Sequence, residues 1–166
     1  MGCYKKHLYP PDKADYINRR REKGLTEECI LCAVRDRKPE VAQLDVYRAE
    51  GFIVSVNLYP YNPGHLMIFP ERHVTDFREL TGEEEAAFCR IRNKSLDLLE
   101  QLYHCQGFNV GFNIGPASGA SIEHLHMHIV PRNNGELGFM DIIGGAKIYI
   151  EDPAETVRRL KKAFQS

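Results

Sequence analysis

Seven consecutive residues read His124-Leu125-His126-Met127-His128-Ile129-Val130. In a helix, residues two apart point about 200° from one another, and the three histidines would scatter around the axis. In a strand they share one face, while Leu125, Met127 and Ile129 share the other and can enter a core. The alternation therefore calls for a strand in a sheet with one buried and one polar face. It sets three imidazoles in a row, roughly 7 Å apart, on a rigid element. Imidazole donates hydrogen bonds, ligates metals and attacks phosphorus, so such a row suits a metal ion or phosphate oxygens. A polar face that merely tolerates histidine is the bland alternative. With seven histidines in the whole chain, three on alternate positions is more than chance supplies.

Composition sets the surroundings of that strand. The chain has 166 residues and a mass of 19.0 kDa, enough for one domain that buries roughly two thirds of its unfolded surface without disulfides. Lys and Arg number 22 against 23 Asp and Glu, which argues against a dedicated duplex-binding protein. The longest apolar run, Cys29 to Val34, is six residues, against the ~18 of a membrane span. The opening MGCYKKHLYPP has no apolar stretch of signal-peptide length, and Lys6 spoils a myristoylation signal at Gly2. Five cysteines, an odd number, fit reduced thiols in a cytoplasm better than a disulfide framework. The expectation is a cytoplasmic protein with neither nucleic acid nor membrane as partner.

Residues 1–24 read as an N-terminal extension: Pro10-Pro11, then a short helix from Asp12 to the solvated basic run Arg19-Arg20-Arg21, with Gly24 as its stop. Residues 25–166 read as one domain. Val46-Tyr47 and Phe52 to Val56 have strand character, with Glu50-Gly51 as the turn between them. A loop rich in proline, Asn57 to Gly64, leads to a strand His65 to Phe69. Thr81 and Glu84 form a capping box before a long helix that carries Phe88, Ile91, Leu98, Leu99 and Leu102 and ends near Tyr103. Cys89 on that helix is expected in the core. Phe108, Val110, Phe112 and Ile114 alternate with Asn109, Gly111, Asn113 and Gly115, a strand with one apolar and one small or polar face. A turn at 115–121 precedes the histidine strand, expected over Glu123 to Arg132. Phe139 to Ile150 is strand-like around Gly144-Gly145, and Asp152-Pro153 opens a short final helix through Val157, Leu160 and Phe164. The fold class is α+β, a mostly antiparallel sheet with one long central helix and short terminal helices.

A second constellation is Cys29-Ile30-Leu31-Cys32. A C-x2-C pair alone can be redox-active, structural or half of a metal site, and tetrahedral zinc needs two further ligands.

The sequence as a whole resembles the histidine triad (HIT) superfamily of nucleotide hydrolases and transferases, whose signature is His-φ-His-φ-His-φ-φ. The likeness runs from about residue 29 to 150. It takes in Pro63-Gly64-His65, Pro70-Glu71-Arg72-His73 in the place of the family's Pro-x-x-His, and Pro131-Arg132 after the triad. The stretches NLYPYNPGHLMIFP, FNVGFNIG and FMDIIGGAK are most similar to the diadenosine tetraphosphate phosphorylase branch. Two positions depart from the common pattern: Ala120 stands where many relatives carry Gln, and Asn133 where an aromatic residue often follows Pro-Arg.

The resemblance implies covalent nucleotidyl transfer. His126 would attack the α-phosphorus and form a nucleotidyl-histidine that phosphate or water resolves. His128 and His65 would donate hydrogen bonds to phosphate oxygens, Gly119, Ser121 and Asn113 would line the phosphate site, and Asn57 would hold ribose. The family's zinc-bearing members place ligands at the positions of His73 and His124. With Cys29 and Cys32 these complete a Cys2His2 set for a structural zinc ion. The implied partners are a nucleotide substrate, inorganic phosphate and a second copy of the chain in a homodimer. The expected reaction is phosphorolysis of diadenosine tetraphosphate to ADP and ATP. The alternatives are hydrolysis of dinucleoside polyphosphates or nucleoside phosphoramidates, and nucleotide binding without turnover; an intact His126 argues against the last.

Overall fold

The computed structural model describes residues 29–136 and 151–165. The expected N-terminal extension and the strand-like segment Phe139 to Ile150 lie outside them. Helix α1, Ile30–Arg35, starts the described chain. Strands β1 (Asp45–Ala49) and β2 (Phe52–Val56) form a hairpin whose turn residues Glu50 and Gly51 both have positive φ, 51° and 78°. Strand β3 (Leu66–Pro70) follows the loop 57–65, and helix α2 (Gly82–Tyr103) crosses to strand β4 (Gly107–Phe112). Strand β5 is Met127–Arg132 and helix α3 is Pro153–Gln165. The sheet order is β1-β2-β3-β5-β4, antiparallel at every pairing.

The two faces of this sheet do different work. Alternate residues Phe52, Val54, Val56, Leu66, Ile68, Met127 and Ile129 point to one face and bury against Ala87, Ile91 and Leu99 of α2 and Leu160 and Phe164 of α3. The capping box of α2 forms as the sequence requires: Thr81 accepts from the Glu84 N–H, and the Glu84 carboxylate accepts from the Thr81 N–H. Helical periodicity puts Ala87, Ile91, Ser95 and Leu99 inward, which leaves Cys89 exposed instead of in the core. On the other face, Ile53 and Phe69 pack against Leu31, Ala33 and Val34 of α1. Sequence reading left α1 out, because six residues without periodicity carry no helical signal. Tertiary contacts hold it: Arg48 of β1 donates to the carbonyls of Val34 and Arg35 at 2.9 and 2.8 Å, closing the helix's C-terminal end.

Strand β4 is only partly covered. Phe108 and Phe112 pack onto the core, but Val110 between them is 45% exposed, because β4 is the edge of the sheet among the described residues. Among the described residues no helix is long and apolar enough to cross a membrane.

Candidate functional site

The histidine strand begins later than expected, at Met127 rather than Glu123. Beyond the Ile68–Met127 pair the two strands part. The Leu125 N–H donates to the carbonyl of Val74 at 2.7 Å, and the carbonyl of Pro70 is taken by a side chain, the Nε2 of His124, at 2.9 Å. His124 and His126 thus lie outside the ladder, with a bend at His124, and all three of Leu125, Met127 and Ile129 are buried as the alternation requires.

This divergence sends the three imidazoles to two places. His124 turns to the cysteines. Its Nδ1 lies 3.5 Å from the Cys29 Sγ and 3.7 Å from the Cys32 Sγ, and the His73 Nδ1 lies 3.3 Å from the Cys32 Sγ. All four ligand atoms fall within 4.8 Å of one another. Tetrahedral ligands at zinc distances stand about 3.5 Å apart. The Nε2–H of His124 donates to Pro70, so its Nδ1 lone pair faces the cluster, the orientation a metal ligand needs. Burial, and then the neighbouring Cys29, push the Cys32 thiol up to about 11, which a cation between the two sulfurs would reverse. These four residues can hold a metal ion.

His126 and His128 meet a different partner. His126 is 4% exposed, and its Nδ1–H donates to the carbonyl of His124 at 2.7 Å. That bond assigns the tautomer and leaves the Nε2 with a lone pair. The ring of His128 sits edge-on to it with centroids 4.9 Å apart, closer than the strand spacing because the rings lean together. The Nδ1 of His128 lies 2.9 Å from the Nε2 of His65. The direction of that bond follows from the loop. The Tyr61 N–H donates to the His65 Nδ1 at 3.0 Å, so the proton of neutral His65 is on Nε2 and is given to His128. His128 then carries its own proton on Nε2. Burial keeps both rings neutral, pushing His65 down to about 3 and His128 to about 4, with neighbouring imidazoles adding to the effect; burial also lowers His126.

The loop that delivers His65 is tightly determined. The Asn57 N–H donates to the His65 carbonyl at 2.9 Å, and the buried Asn62 amide donates to Pro131 and Glu136 at 2.7 and 2.8 Å. Gly64 has φ of +76°, and a Cβ there would meet the Tyr103 ring at 2.8 Å, so the Pro63-Gly64-His65 sequence has both conformational and steric reasons for its glycine. His65 is fully buried with both nitrogens engaged inside the protein, so what it offers a phosphate passes through His128. The Asn57 Oδ1 is committed to the Tyr59 N–H at 2.9 Å, and its Nδ2 stands 3.3 Å from the His65 Nε2.

Across from His128 on β4 is Gly111, with open space where a side chain would be, and Asn109 and Asn113 lie two residues to either side. In the turn before the histidines, Gly119 has φ of +81°, and Gly119 and Ser121 are exposed. The Ser118 hydroxyl, which sequence reading passed over, donates to Gly115 at 2.7 Å and accepts from the Ala120 N–H at 3.3 Å. Tyr61 was also missed. Its 60% exposed ring lies 4.7 Å from that of His65, and no periodicity could have marked a residue in a loop.

Comparison with known proteins adds to this geometry. A model described as the HIT domain matches residues 38–135. The AP-4-A phosphorylase of Mycobacterium tuberculosis is 42% identical over 118 residues, 70% of this chain and 60% of that protein. The chain therefore matches about three fifths of that relative's length. The asymmetrical bis(5'-nucleosyl)-tetraphosphatase of Schizosaccharomyces pombe is 29% identical over 97 residues, 58% of this chain and 53% of that protein. Among solved structures, a Zn-bound histidine triad family protein from Mycobacterium smegmatis superposes with a TM-score of 0.68 at 25% identity, covering 84% of this chain and 94% of its own.

Proposed function

The chain belongs to the histidine triad (HIT) family, and from that premise we propose that it is an enzyme of nucleotidyl transfer on dinucleoside polyphosphates, splitting diadenosine tetraphosphate by phosphorolysis into ADP and ATP. The observation that carries the reading is the pairing of a buried His126, its Nδ1–H on the His124 carbonyl, with a proton-bearing His128 Nε2 beside it. The 42% identity to an AP-4-A phosphorylase supports this substrate and phosphate as the acceptor.

In this mechanism the His126 Nε2 lone pair attacks the α-phosphorus in line. The N–P bond forms as the bond to the bridging oxygen breaks, and ATP leaves. Nδ1 keeps its proton throughout, and the positive charge that develops on the ring is stabilised by the His124 carbonyl. The His128 Nε2–H donates to the oxygen on which charge accumulates, held there by His65. Inorganic phosphate then attacks the same phosphorus from the side ATP vacated, giving ADP and restoring neutral His126. Gly119, Ser121 and Asn113 supply further contacts to the phosphates. We assign zinc to Cys29, Cys32, His73 and His124, in keeping with the zinc-bound relative from M. smegmatis. When bound it supplies no chemistry to the phosphate; it ties the chain before α1 to the segment that carries His126. The proposal includes a homodimer working in the cytoplasm, to be checked by a solution mass of twice 19.0 kDa.

Hydrolysis is the second reading, supported by the tetraphosphatase relative. Product analysis separates the two. With diadenosine tetraphosphate and inorganic phosphate the expected products are ADP and ATP, and the reaction stalls when phosphate is left out. Continued cleavage to AMP and ATP without phosphate would assign a hydrolase instead.

A further inference from the structure

The end of β5 is fastened to the loop that carries His65 by a side-chain junction that touches no reacting group. The β3–β5 pairing ends at Leu66–Ile129, and past it the buried Asn62 takes the place of a strand. Its amide nitrogen donates to the Pro131 carbonyl at 2.7 Å and to the Glu136 Oε1 at 2.8 Å. The Asn62 carbonyl in turn accepts from the His65 N–H at 3.1 Å. These contacts close a circuit: from His128 along β5 to Pro131, across to Asn62, on to His65, and through the His65 Nε2–H back to the His128 Nδ1.

Glu136 sets the orientation of the amide in that circuit. Its Oε1 also accepts from the Asn133 N–H at 2.6 Å, and its Oε2 pairs with Arg132 at 2.7 Å. Gly135, with φ of +72°, lets the chain turn to bring the carboxylate there. An asparagine amide offers oxygen and nitrogen to nearly the same space. Two acceptors facing it, a carbonyl and a carboxylate, select the nitrogen, and the charged acceptor makes the stronger bond. Without the carboxylate that selection weakens, and the turn that brings the Tyr61 N–H to the His65 ring is held less firmly against the strand of His128.

We propose that Glu136 is a positioning residue for the reaction: through Asn62 it keeps His65 in register with His128, and so keeps the His128 proton on Nε2. This rests on the nucleotidyl-transfer reading above and names a group outside the triad on which its hydrogen-bond donor depends.

The test reads the ring directly, which a merely structural role would not alter. In protein labelled with nitrogen-15 on its histidine rings, NMR without substrate distinguishes protonated from bare nitrogens, and the His128 signals are those missing from His128→Ala. The wild type is expected to carry the His128 proton on Nε2 alone. Glu136→Ala is expected to share it between the two nitrogens, with kcat on diadenosine tetraphosphate down about 10- to 100-fold and KM within about threefold. Glu136→Gln keeps the Oε1 acceptor and gives up only the half-exposed pair with Arg132, so it matches the wild type in both readouts. In a His128→Ala background, Glu136→Ala lowers kcat by less than about twofold more, since it acts through the ring already removed. Glu136→Asp, which draws the carboxylate back by one methylene, falls between Gln and Ala and carries the comparison should Glu136→Ala not fold. Wild-type ring signals and kcat in Glu136→Ala or Glu136→Asp overturn the proposal, as does a loss in Glu136→Gln equal to that in Glu136→Ala. A wild-type His128 with its proton on Nδ1 overturns it without any variant. If the wild type turns over no dinucleotide, the catalytic reading fails while the ring signals still decide what Glu136 does.

Discussion

A single carbonyl separates the two chemistries of the triad. The ring of His124 faces the cysteines, while its backbone oxygen, 2.7 Å from the His126 Nδ1, orients the ring that is free to attack. His126→Ala removes the covalent route itself, so kcat falls by at least about 10^3 while nucleotide affinity changes little. His128→Ala removes one donor to developing charge, and falls less, by about 10^2 to 10^3. The double variant loses much less than the product of the two, since both residues act on one step. Turnover and equilibrium binding measured on all three variants check this, and a His126→Ala enzyme with more than a tenth of wild-type turnover would point to direct attack by phosphate or water. An acid-labile, base-stable phosphorus adduct, absent in that variant, is the complementary observation.

At the scale of elements, the metal cluster joins parts of the chain that no strand or helix connects. Cys29 and Cys32 belong to the start of α1, His73 to the loop after β3, and His124 to the segment before β5. Because His124 also orients His126, loosening this junction acts on the nucleophile through one peptide unit. Purified protein is expected to hold about one zinc per chain. Cys32→Ser loses the metal and, for binding energy equivalent to about 4 kcal/mol, melts roughly 8–16 °C lower. It keeps residual turnover, since the ligands lie off the phosphate site. Metal analysis beside thermal melts measures both effects, and a Cys32→Ser protein with unchanged melting temperature would remove the structural role assigned to the metal.

For the molecule as a whole, the sheet divides stability from chemistry. One face is filled by α2 and α3, and the other carries α1, the metal cluster and the histidines. Burying imidazoles on that second face has a pH signature. His65 and His128 titrate near 3 and 4 in the folded protein against about 6.5 in the unfolded chain. Well above pH 6.5 neither state binds these protons, and stability is at its full value. As pH falls from about 6.5 towards 4 and 3, the unfolded chain takes up protons that the native protein refuses, so stability is progressively lost. Melting temperature should be level from pH 8 to about 7 and decline below it, also in the metal-free Cys32→Ser variant, where release of zinc cannot contribute. Turnover should persist below the ordinary imidazole range, because burial keeps the rings that it needs neutral there. A half-loss of kcat near pH 6.5 would mean that the rings are not desolvated in solution.

Local pattern alone determined much of this. Period-two alternation placed Leu125, Met127 and Ile129 in the core, the Thr81–Glu84 box started α2, and the C-x2-C spacing brought two thiols together. These depend on neighbours within a few residues, where backbone geometry dictates direction. What depends on distant partners was decided by packing. Helix α1 exists because Arg48 reaches across to its carbonyls, and Cys89 stays outside because α2 turns a different stripe to the sheet. The strand starts late because Val74 and Pro70 draw the preceding residues out of the ladder. The polarity of the histidine pair is also tertiary. Which nitrogen of His128 carries the proton is set by the Tyr61 N–H acting through His65, residues more than sixty positions away, because a neutral imidazole that accepts at one nitrogen must donate at the other.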